Sequence, residues 1–201
     1  MLPRKLFLLL FMVVCFAADG FPTGIKLGPV FGFASGSGSS QQGAARKSLA
    51  VEIFTQTQLG RWTIQPGMRY SPLGVRATDL LGVTGLTGLA KLNYIEFPIL
   101  VWFPSFSLPW LPRFFVGPSL GIAAGQSIEL ASLVDINLNN RFNSLNVALE
   151  TGLGYFFRVS QNIEMVISAH FSWGLTNISE IPNQSYRNRF ASLMTGITYH
   201  W

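Results

Sequence analysis

The sequence predicts an all-β protein: eight antiparallel strands in up-and-down order, closed into a transmembrane barrel. Three observations carry that prediction. The chain is apolar, with a mean hydropathy of +0.36 and 11% charged residues, against about 25% in an ordinary soluble domain. After residue 20 no apolar segment reaches the roughly 20 residues that a spanning helix needs. The richest, Ile95 to Trp110, is broken by Pro98, Pro104 and Pro109. Period-two alternation recurs along the chain instead, with turn-rich intervals between the segments. In lipid only helices and closed barrels satisfy every backbone group, so strands without helices imply closure.

Residues 1–18 read as a cleaved secretory signal peptide. Arg4 and Lys5 form a positive start, Leu6 to Phe16 is an unbroken apolar run, and Ala17 and Ala18 are small. The run is too short to span a bilayer. A lipoprotein signal with Cys15 as acceptor is the weaker alternative, because Val14 stands where a small residue is wanted. Residues 19–201 then form the barrel domain. The chain's one cysteine, Cys15, leaves with the signal, so no disulfide can hold the exported domain together.

The alternation places strands at 23–33, 48–59, 61–71, 89–103, 113–124, 145–157, 162–175 and 188–201. Their number is even, as in bacterial single-chain barrels. Long intervals (35–47, 72–88, 125–144, 176–187) alternate with short ones around Gly60, at 104–112 and at 158–161. Outer-membrane barrels show this pattern, with long loops outside and short turns in the periplasm. Both termini are therefore expected in the periplasm, and the cell outer membrane of a bacterium is the expected location.

The strand faces agree. Leu145, Val147, Leu149, Leu153, Tyr155 and Phe157 oppose Asn146, Glu150, Gly152 and Gly154. In the next strand Ile163, Met165, Ile167, Phe171 and Trp173 oppose Glu164, Ser168, His170 and Ser172. The large apolar sides should face lipid. Glu52, Glu96, Glu150 and Glu164 then all fall on the lumen side, with Lys26 and Arg69. A charge on the lipid face near the midplane costs up to about 2–4 kcal/mol, less for Asp and Glu, which accounts for the sorting. Eight strands leave an interior just wide enough for side chains to fill. These six charges are expected to form a packed ion-pair network, since buried charges must be paired.

The last segment alternates through Leu193, Thr195, Ile197, Tyr199 and Trp201 and ends on an aromatic. Aromatics at strand ends build the interfacial girdle. Tyr199 and Trp201 also resemble the terminal signal read by the outer-membrane barrel assembly machinery.

Thr23 to Gly28, the Tyr94-x-Glu96-x-Pro98 strand, Phe115 to Gly121, Gly152 to Tyr155, Gly174 to Ile178 and Gly196 to Tyr199 form an ordered set of segments. Together they resemble the porin-like outer membrane protein β-barrel domain family, the small barrels grouped with PorT-like proteins. One stretch departs from the pattern: His170, Phe171, Ser172 and Trp173 stand where the family often has a basic and aromatic pair. The resemblance implies a fold and a membrane but no activity, since fold does not fix function.

Candidate chemistry is sparse. His170 and Ser172 share a face, and His170-Phe171-Ser172 is similar to the His-x-Ser pair of small lipid A deacylase barrels, with Glu180 available as a third group. Such a site needs an imidazole to activate the hydroxyl and a carboxylate to orient the imidazole. No cofactor is expected. With only His170 and His200 and no cysteine in the exported chain, a transition-metal site lacks its usual ligands. The formal charge of +5 falls by two with Arg4 and Lys5. Arg46, Lys47, Arg76 and Arg187 lie in expected loops without interleaved aromatics, so no nucleic-acid partner is implied. The expected partners are the bilayer and its lipopolysaccharide, the barrel assembly machinery, and an envelope protein. The leading expectation is a non-enzymatic barrel with a filled lumen, structural or partner-docking through its outer loops. A narrow porin-like channel and a lipid-modifying enzyme using His170 and Ser172 are the alternatives.

Overall fold

The computed structural model describes residues 20–37, 44–77, 88–104, 111–130, 134–137, 144–177 and 185–201. The signal segment at 1–18 and Glu180 lie outside the described residues. The described chain is all strand and connection. It comprises β1 (Thr23–Ser37), β2 (Ala44–Thr55), β3 (Thr57–Leu59), β4 (Trp62–Ala77), β5 (Gly88–Trp102), β6 (Arg113–Leu130), β7 (Val134–Asn137), β8 (Leu145–Arg158), β9 (Ile163–Gly174) and β10 (Ser185–Tyr199).

Every pairing is antiparallel, and the ladder closes on itself. β2 and β3 are one wall strand interrupted at Gln56, and β7 is a short partner of the outer end of β6. The remaining strands complete an eight-stranded barrel, with β1 paired to β10 and β2 to β4. Tight turns at Gly60 and at 158–161 share one end with both terminal strands. Gly60 has φ +61°, a conformation that other residues enter only with strain. The other end carries the longer connections.

Strand faces follow the alternation. On β9, Ile163, Met165 and Ile167 are exposed while Val166, Ser168, His170 and Ser172 are buried. The outward side chains make a continuous apolar belt. At the turn end it is edged by Trp62, Phe103 and Phe114, with ring centroids 4.6 and 5.3 Å apart, and by Tyr199 against Trp201 at 4.8 Å. At the loop end Phe171 contacts Trp173 at 4.3 Å and Phe33 at 6.2 Å. Two aromatic rims around an apolar band are what a barrel in a bilayer requires.

Two sequence expectations are corrected. The strands run further at the loop end than the apolar alternation does, so Arg46, Lys47, Arg76 and Arg187 stand in strands and not in loops. Backbone pairing continues beyond the apolar band, because it needs no apolar side chains. Pro72, expected to open a long loop, lies inside β4 opposite Asn93 of β5.

Around that proline the wall is lapped. Between Ala45↔Val75 and Val51↔Tyr70 the β2–β4 ladder is interrupted. Ser71, Pro72, Leu73 and Gly74 are all buried there, breaking alternation. β4 tucks inward beneath β2 and reaches β1, where a Cβ on Gly32 would lie 3.1 Å from the backbone of Leu73 and Gly74. Side chains replace the missing ladder. Arg46 Nη1 donates to the Leu73 carbonyl (2.7 Å), and the Ser48 hydroxyl donates to that of Pro72.

Candidate functional site: a charged, filled lumen

The lumen charges arise from strand register. Lys26, Glu52, Arg69 and Glu96 are successive cross-strand partners on β1, β2, β4 and β5, so one row alternates in sign around half of the barrel. Opposite Glu96 the row continues as Gly121, which leaves the centre open to longer side chains. Glu150 enters from the far wall on β8.

Arg69 is the hub. Its Nη1 and Nη2 donate to the two oxygens of Glu150 (2.8 and 2.5 Å), its Nε to Glu96 (3.0 Å), and Nη1 also to Glu52 (3.4 Å). A guanidinium fork suits this role because it meets a carboxylate with parallel bonds and still has donors to spare. Lys26 Nζ lies 2.8 Å from Glu52, and Ser71 donates to Glu96 at 2.5 Å. Lys26, Arg69, Glu52, Glu96 and Glu150 are all fully buried. Rings bracket the cations, with Phe54 4.7 Å from Lys26 and Phe190 4.8 Å from Arg69.

His170 extends the network. Its Nδ1 is 2.6 Å from Glu150 and its Nε2 is 2.8 Å from the Ser168 hydroxyl. The alternative pairing with Ser172 is not the one formed: the imidazole engages Ser168, toward the turn end, and no hydrogen bond among the described residues joins it to Ser172. Phe115 packs on the imidazole at 4.8 Å, and Ser168 is 1% exposed.

Glu164 is also corrected. It shares the lumen side, but it stands at the turn-end mouth, where its carboxylate is 3.6 Å from His200. No ion pair or hydrogen bond among the described residues joins it to the Arg69 cluster, because alternation assigns a face and not a height along the strand.

The lumen is packed on both sides of the charges. Below them Trp102 meets Phe115 at 4.5 Å and Phe156 at 4.9 Å, and its indole donates to Gln65 (3.0 Å), which in turn donates to Glu52 (3.0 Å). Glycines make room for these rings: a Cβ on Gly152 would fall 2.3 Å from Phe115, and one on Gly154 2.7 Å from Trp102. Above the charges, the tucked Leu73 packs with Val30, Ala50, Leu92, Tyr94, Phe190 and Met194. No grouping of three or more His, Cys, Asp or Glu suited to a metal ion occurs among the described residues.

A closed antiparallel barrel with an apolar, aromatic-edged outer wall and a charged, filled interior is a membrane β-barrel of the outer-membrane class. The sequence model described as "Outer membrane protein beta-barrel domain" matches residues 18–180, and the chain belongs to that family. The family places it in the bacterial outer membrane. Neisserial surface protein A (NspA) is similar in structure, with a TM-score of 0.51 at 13% identity over 89% of this chain and 97% of that one. Ail, the attachment invasion locus protein of Yersinia pestis, gives a TM-score of 0.44 at 12% identity over 90% and 99%. The outer membrane protein AlkL gives 0.45 at 10% identity over 90% and 91%. At these identities the likeness is one of fold alone. No curated protein matches the chain significantly.

Proposed function

We propose that this protein is a non-conducting, non-enzymatic outer-membrane barrel that serves the envelope by docking a partner through its loop-end segments. Filling of the lumen supports this reading most directly: among the described residues, Arg69 with its three carboxylates and the Trp102–Phe115–Phe156 rings occupy the barrel interior. Recognition then falls to the segments joining the strands at the open end of the wall. In the same reading residues 1–18 are removed on export, and Tyr199 and Trp201 are the mark read at assembly. Planar-bilayer recording tests the first part. Purified protein is expected to give no unitary conductance, and steady single-channel steps would replace docking with transport.

The Ser168–His170–Glu150 connectivity favours a second reading, a lipid-modifying hydrolase, since a base held between a hydroxyl and a carboxylate is the arrangement that activates a nucleophile. Against it, Glu150 is clamped by Arg69, the imidazole lies against the ring of Phe115, and Ser168 is buried in the wall. His170→Ala and Ser168→Ala are expected to leave the lipid profile of the outer membrane unchanged. Loss of one lipid product in both variants would support the enzyme.

A further inference from the structure

The outer wall carries a charge asymmetry at its loop end that the lumen does not explain. Lys47 on β2, and Arg187 and Arg189 on β10, lie on the lipid-facing side of strands that both flank β1. Phe33 is the β1 partner of Arg189, and Trp173 is its partner on β9, so the guanidinium side chain rises between two outward aromatics in one row. Lys47 is level with Phe31, one step nearer the turn end, and Arg187 is one step further out. Strand spacing puts the Lys47 and Arg189 Cα atoms about 12 Å apart and those of Arg187 and Arg189 about 7 Å apart. Three long cationic side chains thus converge over one rim of the apolar belt.

Nothing described neutralises them. No salt bridge among the described residues involves Lys47, Arg187 or Arg189. Among the described residues the acidic positions are elsewhere. Glu52, Glu96 and Glu150 are inside, Glu164 is at the turn end, and Glu129 and Asp135 stand at opposed backbone positions of the β6–β7 ladder, across the barrel from β1.

We propose that Lys47, Arg187 and Arg189, the last flanked in the ladder by Phe33 and Trp173, form an outer-wall subsite for the phosphate groups of a membrane lipid headgroup. The height argues for a lipid. Aromatic rims mark the level of the headgroups, and cations at that level face phosphates carried by the bilayer. The spread argues for more than one phosphate on the ligand, as on a phosphorylated glycolipid. This subsite stands apart from the docking role above and survives if that role fails.

The test is native mass spectrometry of the protein extracted from outer membranes in detergent, titrated with a diphosphorylated glycolipid and with its dephosphorylated form. A cation near an anionic lipid surface contributes about a fivefold gain in binding. Wild-type protein should retain the phosphorylated lipid alone, and K47Q/R187Q/R189Q should lose roughly a hundredfold in affinity by that scale. Arg61→Gln, at the turn end, should bind as wild type does. If the triple variant does not fold, judged by heat-dependent migration on gels, Arg189→Gln alone should lose about fivefold. Equal retention of the two lipids, or wild-type binding by the variants, overturns the proposal. So does displacement of the lipid by millimolar inorganic phosphate, which would make the patch a simple anion site.

Discussion

At the scale of single residues, the lumen turns on Arg69. One guanidinium serves Glu52, Glu96 and Glu150 at once, so its removal strands Glu96 and Glu150 and leaves Glu52 with Lys26 alone. Arg69→Met is expected to destabilise the barrel by about 3–5 kcal/mol, read from urea unfolding in detergent micelles. Arg69→Met with Glu150→Met should recover part of that loss, because the second change removes one of the stranded charges. Alternation alone identified Lys26, Glu52, Arg69, Glu96 and Glu150 as lumen residues. It could not choose between partners. Ser168 and Ser172 stand symmetrically on either side of His170 along one face, and only the direction of the imidazole selects the former. Glu164 shows the same gap in another form, since its face is legible while its height at the mouth is not.

At the scale of elements, the lapped joint of β2 over β4 was hidden from the sequence. Proline reads as a strand end because it cannot donate to a ladder. Pro72 is kept within β4 because the ladder to β2 is already interrupted there, and Arg46 and Ser48 carry the connection by their side chains. Replacing both by alanine leaves two buried carbonyls without these donors, at about 1–3 kcal/mol each. The expected outcome is local: faster amide exchange over Ser71–Ala77 and Gly88–Leu92, measured by mass spectrometry, with exchange in β8 and β9 unchanged. Uniform acceleration across all strands would show that the joint supports the whole wall. The eight strands were legible because a lipid face and a packed lumen force strict alternation. The tuck was not, because it departs from that rule.

At the scale of the whole molecule, the apolar belt ties the fold to its solvent. Ile167 points outward, 44% exposed, near the middle of β9. Ile167→Arg is expected to cost about 2–4 kcal/mol in refolding into lipid vesicles, the penalty for a cation near the midplane. Ile167→Ala should cost clearly less in the same equilibrium. Equal costs would mean that the position does not face the hydrocarbon core.

The pairing of β1 with β10, Thr23 beside Tyr199, sets the order in which this molecule can come into being. The first described strand finds one neighbour early, in β2, and must wait for the other until the final strand arrives. Arg69 and Glu150, 81 positions apart, likewise meet only when the walls come round to face each other. Contacts of such long sequence separation form slowly, because the closure entropy precedes the reward. A chain lacking its final strand is therefore not a smaller barrel but an open sheet with two raw edges. The protein becomes stable only at the last stitch.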